Sequence, residues 1–228
     1  MEARHIVTIE RRFRGPEDSA NGGYAAGLLA AFLDGPAEVT LRLPPPLERP
    51  LTVERRGDVV VLLDGEALVA EAIPAEVEPD VPPSPTWEEA TEASRHYLAF
   101  GADTFRGCFS CGQLREEGDA LRILPGRAAP DAPVAAPWVV GESSLPVVWA
   151  AIDCSGAYAV SAQGRGETVL GRMAARVERL PAAGERCVVI GWPLGEEGRK
   201  LYAGTALYSE GELLAVARQT WITPRAGA

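Results

Sequence analysis

The same order of predicted secondary-structure elements occurs twice along the chain. A strand pattern over 5–14 is followed by Asn21-Gly22-Gly23-Tyr24, which leads into Ala25–Leu33, a segment that is apolar on nearly every side. A helix without a polar face has to be buried, and Asp34-Gly35-Pro36 ends it. Four short strand patterns with glycine turns at 57 and 65 come next: Ala37–Leu43, Leu51–Arg56, Asp58–Leu63 and Ala67–Ile73.

The second half repeats this order. Leu145–Asp153 is again almost wholly apolar, and Pro146 suits the first turn of a helix. The strand patterns around it cover Leu121–Leu124, Val134–Val139, Thr168–Arg179, Arg186–Trp192, Lys200–Tyr208 and Glu212–Ile222. A repeated order of elements indicates two related α+β units.

The boundaries follow from the segment between the two units. Residues 74–86 are rich in Pro and Glu, which is typical of a linker. Thr86-Trp87-Glu88-Glu89 then forms a possible capping box, so we expect a helix that runs to about Phe100. The predicted organisation is an N-terminal unit over 1–75, a linker with a helix over 76–107, and a C-terminal unit over 108–228.

Composition and charge narrow the function classes. The chain has 228 residues and a formal net charge of −10, which disfavours binding to nucleic acid or to an anionic membrane. It has no run of about 18 apolar residues and no signal-peptide pattern, so we expect a cytoplasmic protein without a membrane span. Arginines that are candidates to bind phosphate in spite of this charge are Arg172, Arg176, Arg179 and Arg199.

Three segments resemble the double-hotdog acyl-CoA thioesterases of type II. They are the Gly-Gly helix start at 21–27, the Cys108-Phe109-Ser110-Cys111-Gly112 lead-in with Gly118 and Leu121, and the last strand Gly211–Gln219. The resemblance covers almost the whole chain. It implies a tandem hotdog in which two antiparallel sheets each wrap around a buried central helix. The activity it implies is hydrolysis of an acyl-CoA or a related acyl thioester, without a cofactor.

The same resemblance implies a set of site residues. That family uses a carboxylate on the second central helix, a hydroxyl on the next strand and a glutamine on the last strand; these positions match Asp153, Thr168 and Gln219 here. The aromatic and histidine residues that follow the threonine in that family are replaced by Gly171-Arg172-Met173. This departure keeps a second hypothesis open, a non-catalytic hotdog protein that binds an acyl group or a small apolar ligand. A hotdog dehydratase is a third hypothesis, but neither histidine lies on a central helix.

The residue types fit hydrolysis on chemical grounds. An aspartate in an apolar helix can act as a general base or attack the thioester directly, and burial raises its pKa towards the working range. Backbone N–H groups at Gly22, Gly23 or Tyr24 are candidates to bind the oxyanion, because glycine allows close approach. The simpler alternatives are that Asp153 caps a turn and that the glycines only permit a tight entry of the chain into the helix. For Gln219 the simpler alternative is a bond to neighbouring backbone, a contact without a catalytic role.

The cysteines give a weaker pattern. Cys108 and Cys111 form one Cys-x-x-Cys pair, whereas Cys154 and Cys187 are isolated in the sequence. A structural zinc site takes four ligands, so we expect a packed loop and no metal. The expected partner is an acyl thioester, and two fused units allow either a monomer or a homodimer.

Overall fold

The computed structural model describes residues 4–78, 80–98, 105–160 and 168–224. Its helices are α1 (Gly22–Ala30), α2 (Trp87–Arg95), α3 (Leu145–Ala151) and α4 (Cys154–Val160). Its strands are β1 (Arg4–Thr8), β2 (Ala37–Leu41), β3 (Pro50–Arg56), β4 (Val59–Asp64), β5 (Ala67–Pro74), β6 (Gly126–Arg127), β7 (Val134–Val139), β8 (Val169–Val177), β9 (Arg186–Glu197), β10 (Lys200–Ser209) and β11 (Glu212–Ile222). None of the helices in these ranges is long and apolar enough to cross a membrane.

The strands form one antiparallel sheet of eleven strands in the order β1-β3-β4-β5-β2-β8-β11-β10-β9-β7-β6. The expectation of two separate sheets is therefore wrong. The two halves join where β2 pairs with β8, with Val39 opposite Met173. This pairing gives partners to backbone groups that two separate sheets would leave unpaired on their edge strands.

Helix α1 is buried as its sequence predicts. The Asn21 side chain caps it by accepting a hydrogen bond from the Tyr24 N–H at 2.8 Å. The helix packs against β2 and β5 of its own half and against α3 of the other half. The approach to α3 is close, because a Cβ placed on Gly27 would lie 2.7 Å from the Trp149 Cβ.

Several predicted elements differ from the structure in extent, and one predicted strand does not form. The first strand stops at Thr8 and is followed by a short 3-10 helix, Arg11–Phe13. Helix α2 has the predicted capping box at Thr86 but ends at Arg95. Residues 121–124 form no strand, because the N–H groups of Leu121 and Ile123 donate instead to carbonyls of the Cys-x-x-Cys loop.

Candidate functional site

Asp153 lies at a break between two helices. The predicted helix over 145–153 ends at Ala151, and α4 begins at Cys154. The side chain of Asp153 is 2% exposed and is the one carboxylate that is buried in the described ranges. A buried carboxylate costs free energy unless donors surround it, so its partners define the site.

The partners of Asp153 come from the N-terminal half. Its Oδ2 atom accepts hydrogen bonds from the Gly23 N–H at 3.0 Å and from Asn21 Nδ2 at 2.9 Å. Its Oδ1 atom has no hydrogen-bond partner in the described part of the chain. Burial raises the pKa of Asp153 to about 7, and the Gly23 and Asn21 donors partly oppose that rise. One carboxylate oxygen is thus held by two donors, while the other is buried without a hydrogen-bond partner.

A cavity of about 310 Å³ lies beside this carboxylate, and most of its wall is apolar. Its lining includes Asp153, Thr168, Asn21 and Gly22. The apolar part of the wall is contributed by β2, β8, β11 and neighbouring loops, with Leu41, Leu43, Leu170, Trp221 and Ile222. Small-molecule sites are concave, mostly apolar and carry a few polar groups, and this cavity has that character.

Thr168 is the hydroxyl that the family resemblance implies for the site, and it lies just outside the strand that forms within the predicted range 168–179. It comes directly before β8, is 4% exposed and lines the same cavity as Asp153. Its Oγ1 atom has no hydrogen-bond partner among the described residues. Buried polar atoms are normally satisfied, so the unpaired oxygens of Thr168 and Asp153, two residues of the same cavity lining, are candidates to bind a ligand.

The side-chain amide of Gln219 is hydrogen-bonded within the protein and does not line the cavity. Its Oε1 atom accepts from Trp221 Nε1 at 2.8 Å, which fixes the amide orientation because an indole N–H only donates. Its Nε2 atom donates to the carbonyls of Ile152 at 2.7 Å and Asp153 at 3.1 Å. Gln219 is absent from the cavity lining. It holds the break between α3 and α4, which differs from the predicted contact with water.

A substitution of Gln219 tests this structural contact. We expect Gln219→Leu to lower the free energy of unfolding by about 1–3 kcal/mol, because Trp221 Nε1 and two carbonyls lose a buried partner. Chemical denaturation followed by circular dichroism measures the change. Gln113→Leu is the matched control, since Gln113 is exposed. Equal stability of the two variants would show that the contacts of Gln219 contribute nothing.

The three candidate oxyanion donors are not equivalent. The Gly23 N–H donates to Asp153 and the Tyr24 N–H donates to Asn21, so the expectation that these two groups are open to a ligand is wrong. The Tyr24 ring stacks on Phe13 with centroids 3.9 Å apart, away from the cavity lining. Gly22 lines the cavity, and its N–H has no acceptor among the described residues.

The structure corrects the interpretation of the cysteines. Cys154 is not isolated: its Sγ atom lies 3.8 Å from that of Cys108, and Cys111 completes a buried group of three. The hydrogen bonds from Cys111 and Cys154 hold the pKa of the Cys108 thiol well below its usual range, and the same contacts raise the pKa of the other two thiols. Asn21 Nδ2 lies 3.6 Å from Cys108 Sγ, so this group adjoins Asp153.

Asn21 and Cys154 are the residues that sequence reasoning missed. Each had a local signal. Asn21 stands at the start of the Gly-Gly helix, where an amide side chain serves as an N-cap, and Cys154 directly follows the candidate carboxylate. Their contacts with Asp153 and Cys108 join residues more than 40 positions apart, which local patterns do not reveal.

The candidate phosphate-binding arginines have partners within the protein. Arg179 forms ion pairs with Glu185 and Glu212, both at 2.8 Å. Arg172 pairs with Glu38 at 3.3 Å, and Arg176 pairs with Glu178 at 2.9 Å. The guanidinium of Arg199 donates to the Thr223 carbonyl. None of the four lines the cavity, so the structure gives them no role in binding phosphate there.

Comparison with solved structures identifies the architecture. An acyl-CoA thioesterase II from Mycobacterium marinum is 11% identical, with 99% of this chain and 94% of that chain covered and a TM-score of 0.62. A tesB protein from Mycobacterium avium subspecies paratuberculosis is 14% identical, with coverage of 97% and 93% and a TM-score of 0.62. A conserved protein of unknown function with the hotdog fold, from Alicyclobacillus acidocaldarius, is 11% identical, with coverage of 99% and 96% and a TM-score of 0.64.

No protein-family model matches the sequence, and no curated protein matches it. The likeness is therefore one of structure and not of sequence. It extends over nearly the full length of this chain and of the solved chains. At this level of identity it establishes the architecture alone: the chain has the hotdog fold.

Proposed function

We propose that the protein is a thioesterase-type hydrolase that acts on an acyl-CoA or a related acyl thioester. The observation that carries the proposal is the buried carboxylate of Asp153 on the wall of an apolar cavity, with one oxygen held and the other unpaired. Solved proteins with the same fold include acyl-CoA thioesterases. An apolar wall suits an acyl chain, and an unpaired carboxylate oxygen suits a water nucleophile.

The proposed reaction uses three groups of this chain. The Oδ1 atom of Asp153 accepts a proton from water while the water oxygen attacks the thioester carbonyl carbon. The Gly22 N–H stabilises the oxyanion that forms, and Thr168 Oγ1 holds the water. The C–S bond then breaks, and the leaving sulfur takes the proton from Asp153. The products are a carboxylic acid and a free thiol.

We also propose that two hotdog units lie in tandem. Residues 1–75 form the first, 76–107 link them and 108–228 form the second. Helix α1 packs against strands of the first half, whereas α4 packs against β9 and β10 of the second. The single continuous sheet fits two units joined edge to edge at β2 and β8. In this arrangement the first unit supplies Asn21 and Gly22 and the second supplies Asp153.

A second candidate function is the binding of an acyl group or a small apolar ligand without hydrolysis. The amide of Gln219 favours it, because this side chain is occupied by backbone carbonyls and by Trp221 and is absent from the cavity lining. In this second function the glutamine takes no part in positioning a water molecule. The same cavity would then bind its ligand through its apolar wall alone.

Release of free thiol from a panel of acyl thioesters separates the two functions. We expect turnover with short or aromatic acyl groups, because about 310 Å³ is at the small end for ligand sites. Each acyl group is offered both on CoA and on N-acetylcysteamine, so that recognition of the carrier is measured separately. No turnover from folded protein, together with binding of the free acid, would overturn hydrolysis in favour of the second function.

Thr168→Val tests the hydroxyl at constant shape. We expect the stability to stay the same or rise, because Thr168 Oγ1 has no partner to lose. Turnover should fall by about tenfold, since a donor or acceptor for water is removed. Thr205→Val is the matched control: its Oγ1 accepts from Gln219 Nε2 at 3.3 Å, so it should lower stability. Full activity of Thr168→Val would exclude a role for this hydroxyl.

A further inference from the structure

Three buried sulfur atoms converge beside the candidate site. The Sγ atoms of Cys108, Cys111 and Cys154 all lie within 4.8 Å of one another. The Cys108 and Cys154 sulfurs are 3.8 Å apart, too far for a disulfide, which needs about 2.05 Å. In a tetrahedral zinc site, sulfurs about 2.3 Å from the metal are about 3.8 Å from each other. The spacing of the Cys108 and Cys154 sulfurs is thus that of two thiolates around a zinc ion.

The backbone of the Cys-x-x-Cys loop forms a tight turn that brings the sulfurs of Cys108 and Cys111 together. The Gly112 N–H donates to the Cys108 carbonyl at 2.8 Å and closes a tight turn around the pair. A Cβ at Gly112 would lie 2.4 Å from that carbonyl oxygen, so only glycine fits. Tyr97 donates from its hydroxyl to the Cys111 carbonyl at 3.2 Å. These contacts hold two of the sulfurs at a defined spacing.

The surroundings of the sulfurs also suit thiolates. Asn21 Nδ2 lies 3.6 Å from Cys108 Sγ and 3.9 Å from Cys154 Sγ. Hydrogen-bond donors around the ligands are the usual surroundings of a metal site. All three cysteines line the same cavity as Asp153, so a metal ion there has access to a fourth ligand from the cavity.

We infer that Cys108, Cys111 and Cys154 bind one zinc ion, with the fourth ligand supplied by water or by a bound molecule in the cavity. Zinc sites with three protein ligands keep such an exchangeable position. Soft thiolate ligands select zinc over hard cations such as magnesium or calcium. The inference does not depend on hydrolysis, since the sulfurs are placed by the fold and not by any substrate.

The test is the metal content of the full-length protein, purified under reducing conditions and measured by elemental analysis. We expect one zinc per chain, retained through dialysis, and a cobalt–thiolate absorption band after exchange with cobalt. Cys154→Ser and Cys111→Ser should each weaken zinc binding at least about tenfold, the lower end of what loss of even an outer-shell partner does. Cys187→Ser is the matched control, because Cys187 is buried but lies outside the group.

Three results would overturn the inference. One is folded, reduced wild-type protein that neither contains zinc nor binds added zinc in a titration. Another is a cysteine variant of the group that binds zinc as tightly as Cys187→Ser does. A stable disulfide among the three, seen by intact mass under non-reducing conditions, would also replace the metal site. Zinc content and thiol release are separate readouts, so either proposal can fail without the other.

Discussion

Asp153→Asn is expected to lower thioester turnover by about a hundredfold or more, the contribution that a general base typically makes. The amide has nearly the same shape as the carboxylate but cannot accept a proton from water at neutral pH. Its oxygen can still accept from the Gly23 N–H and from Asn21 Nδ2, the two contacts that hold Oδ2 in the native protein. The substitution therefore removes the chemistry and keeps the local structure.

Stability distinguishes a catalytic loss from an unfolded protein. We expect the free energy of unfolding of Asp153→Asn to fall by no more than about 1 kcal/mol, because the native hydrogen bonds have a replacement acceptor and no charge is buried. Steady-state thiol release and urea denaturation are measured on the same preparation. Asp64→Asn is the control; Asp64 forms a surface ion pair with Arg49, and such pairs contribute little.

Two results from the Asp153→Asn and Asp64→Asn variants would contradict the proposed role of Asp153. If Asp153→Asn keeps more than about a tenth of the wild-type turnover, the carboxylate does not act as the general base, whose removal costs far more. If Asp64→Asn loses as much activity as Asp153→Asn, the effect is not specific to the cavity. Loss confined to Asp153→Asn in folded protein would support the proposed reaction.

Among substitutions of the helix α1 glycines that contact the site, Gly23→Ala should change the free energy of unfolding most. Alanine favours a helix over glycine by about 1 kcal/mol, so propensity alone predicts a more stable variant. Packing predicts the opposite, because the new Cβ would lie 2.6 Å from the Trp149 carbonyl oxygen and 2.6 Å from the Asp153 Cβ. Overpacking of this kind costs about 1–3 kcal/mol, occasionally more.

We therefore expect Gly23→Ala to lower the free energy of unfolding by about 2 kcal/mol and to lower turnover as well, because the Gly23 N–H moves away from Asp153. Denaturant titration and thiol release measure the two effects. Gly141→Ala is the matched control, since a Cβ there meets nothing within 4 Å. A Gly23→Ala variant as stable as the wild type would show that the contact between α1 and α3 relaxes freely.

Much of the site was visible in the sequence as residue types. The Gly-Gly helix start indicated a place where two elements approach closely, and Gly23 does approach Asp153 and Trp149. An aspartate in an apolar segment indicated a buried carboxylate, and Asp153 is buried. The contact partners were not visible. Gln219 was predicted to hold water, but its amide bonds to carbonyls of Ile152 and Asp153, which lie on another element.

Local features follow from the sequence alone: the buried helix α1, the glycine turns of the hairpins and the capping box at Thr86 each depend on neighbouring residues. Contacts between distant segments set the rest, namely the joining of the two halves through β2 and β8 and the meeting of Asn21, Asp153 and three cysteines. Strand edges and buried polar groups select partners by packing and by hydrogen-bond satisfaction. Those partners lie far apart along the chain, and so no short sequence pattern records them.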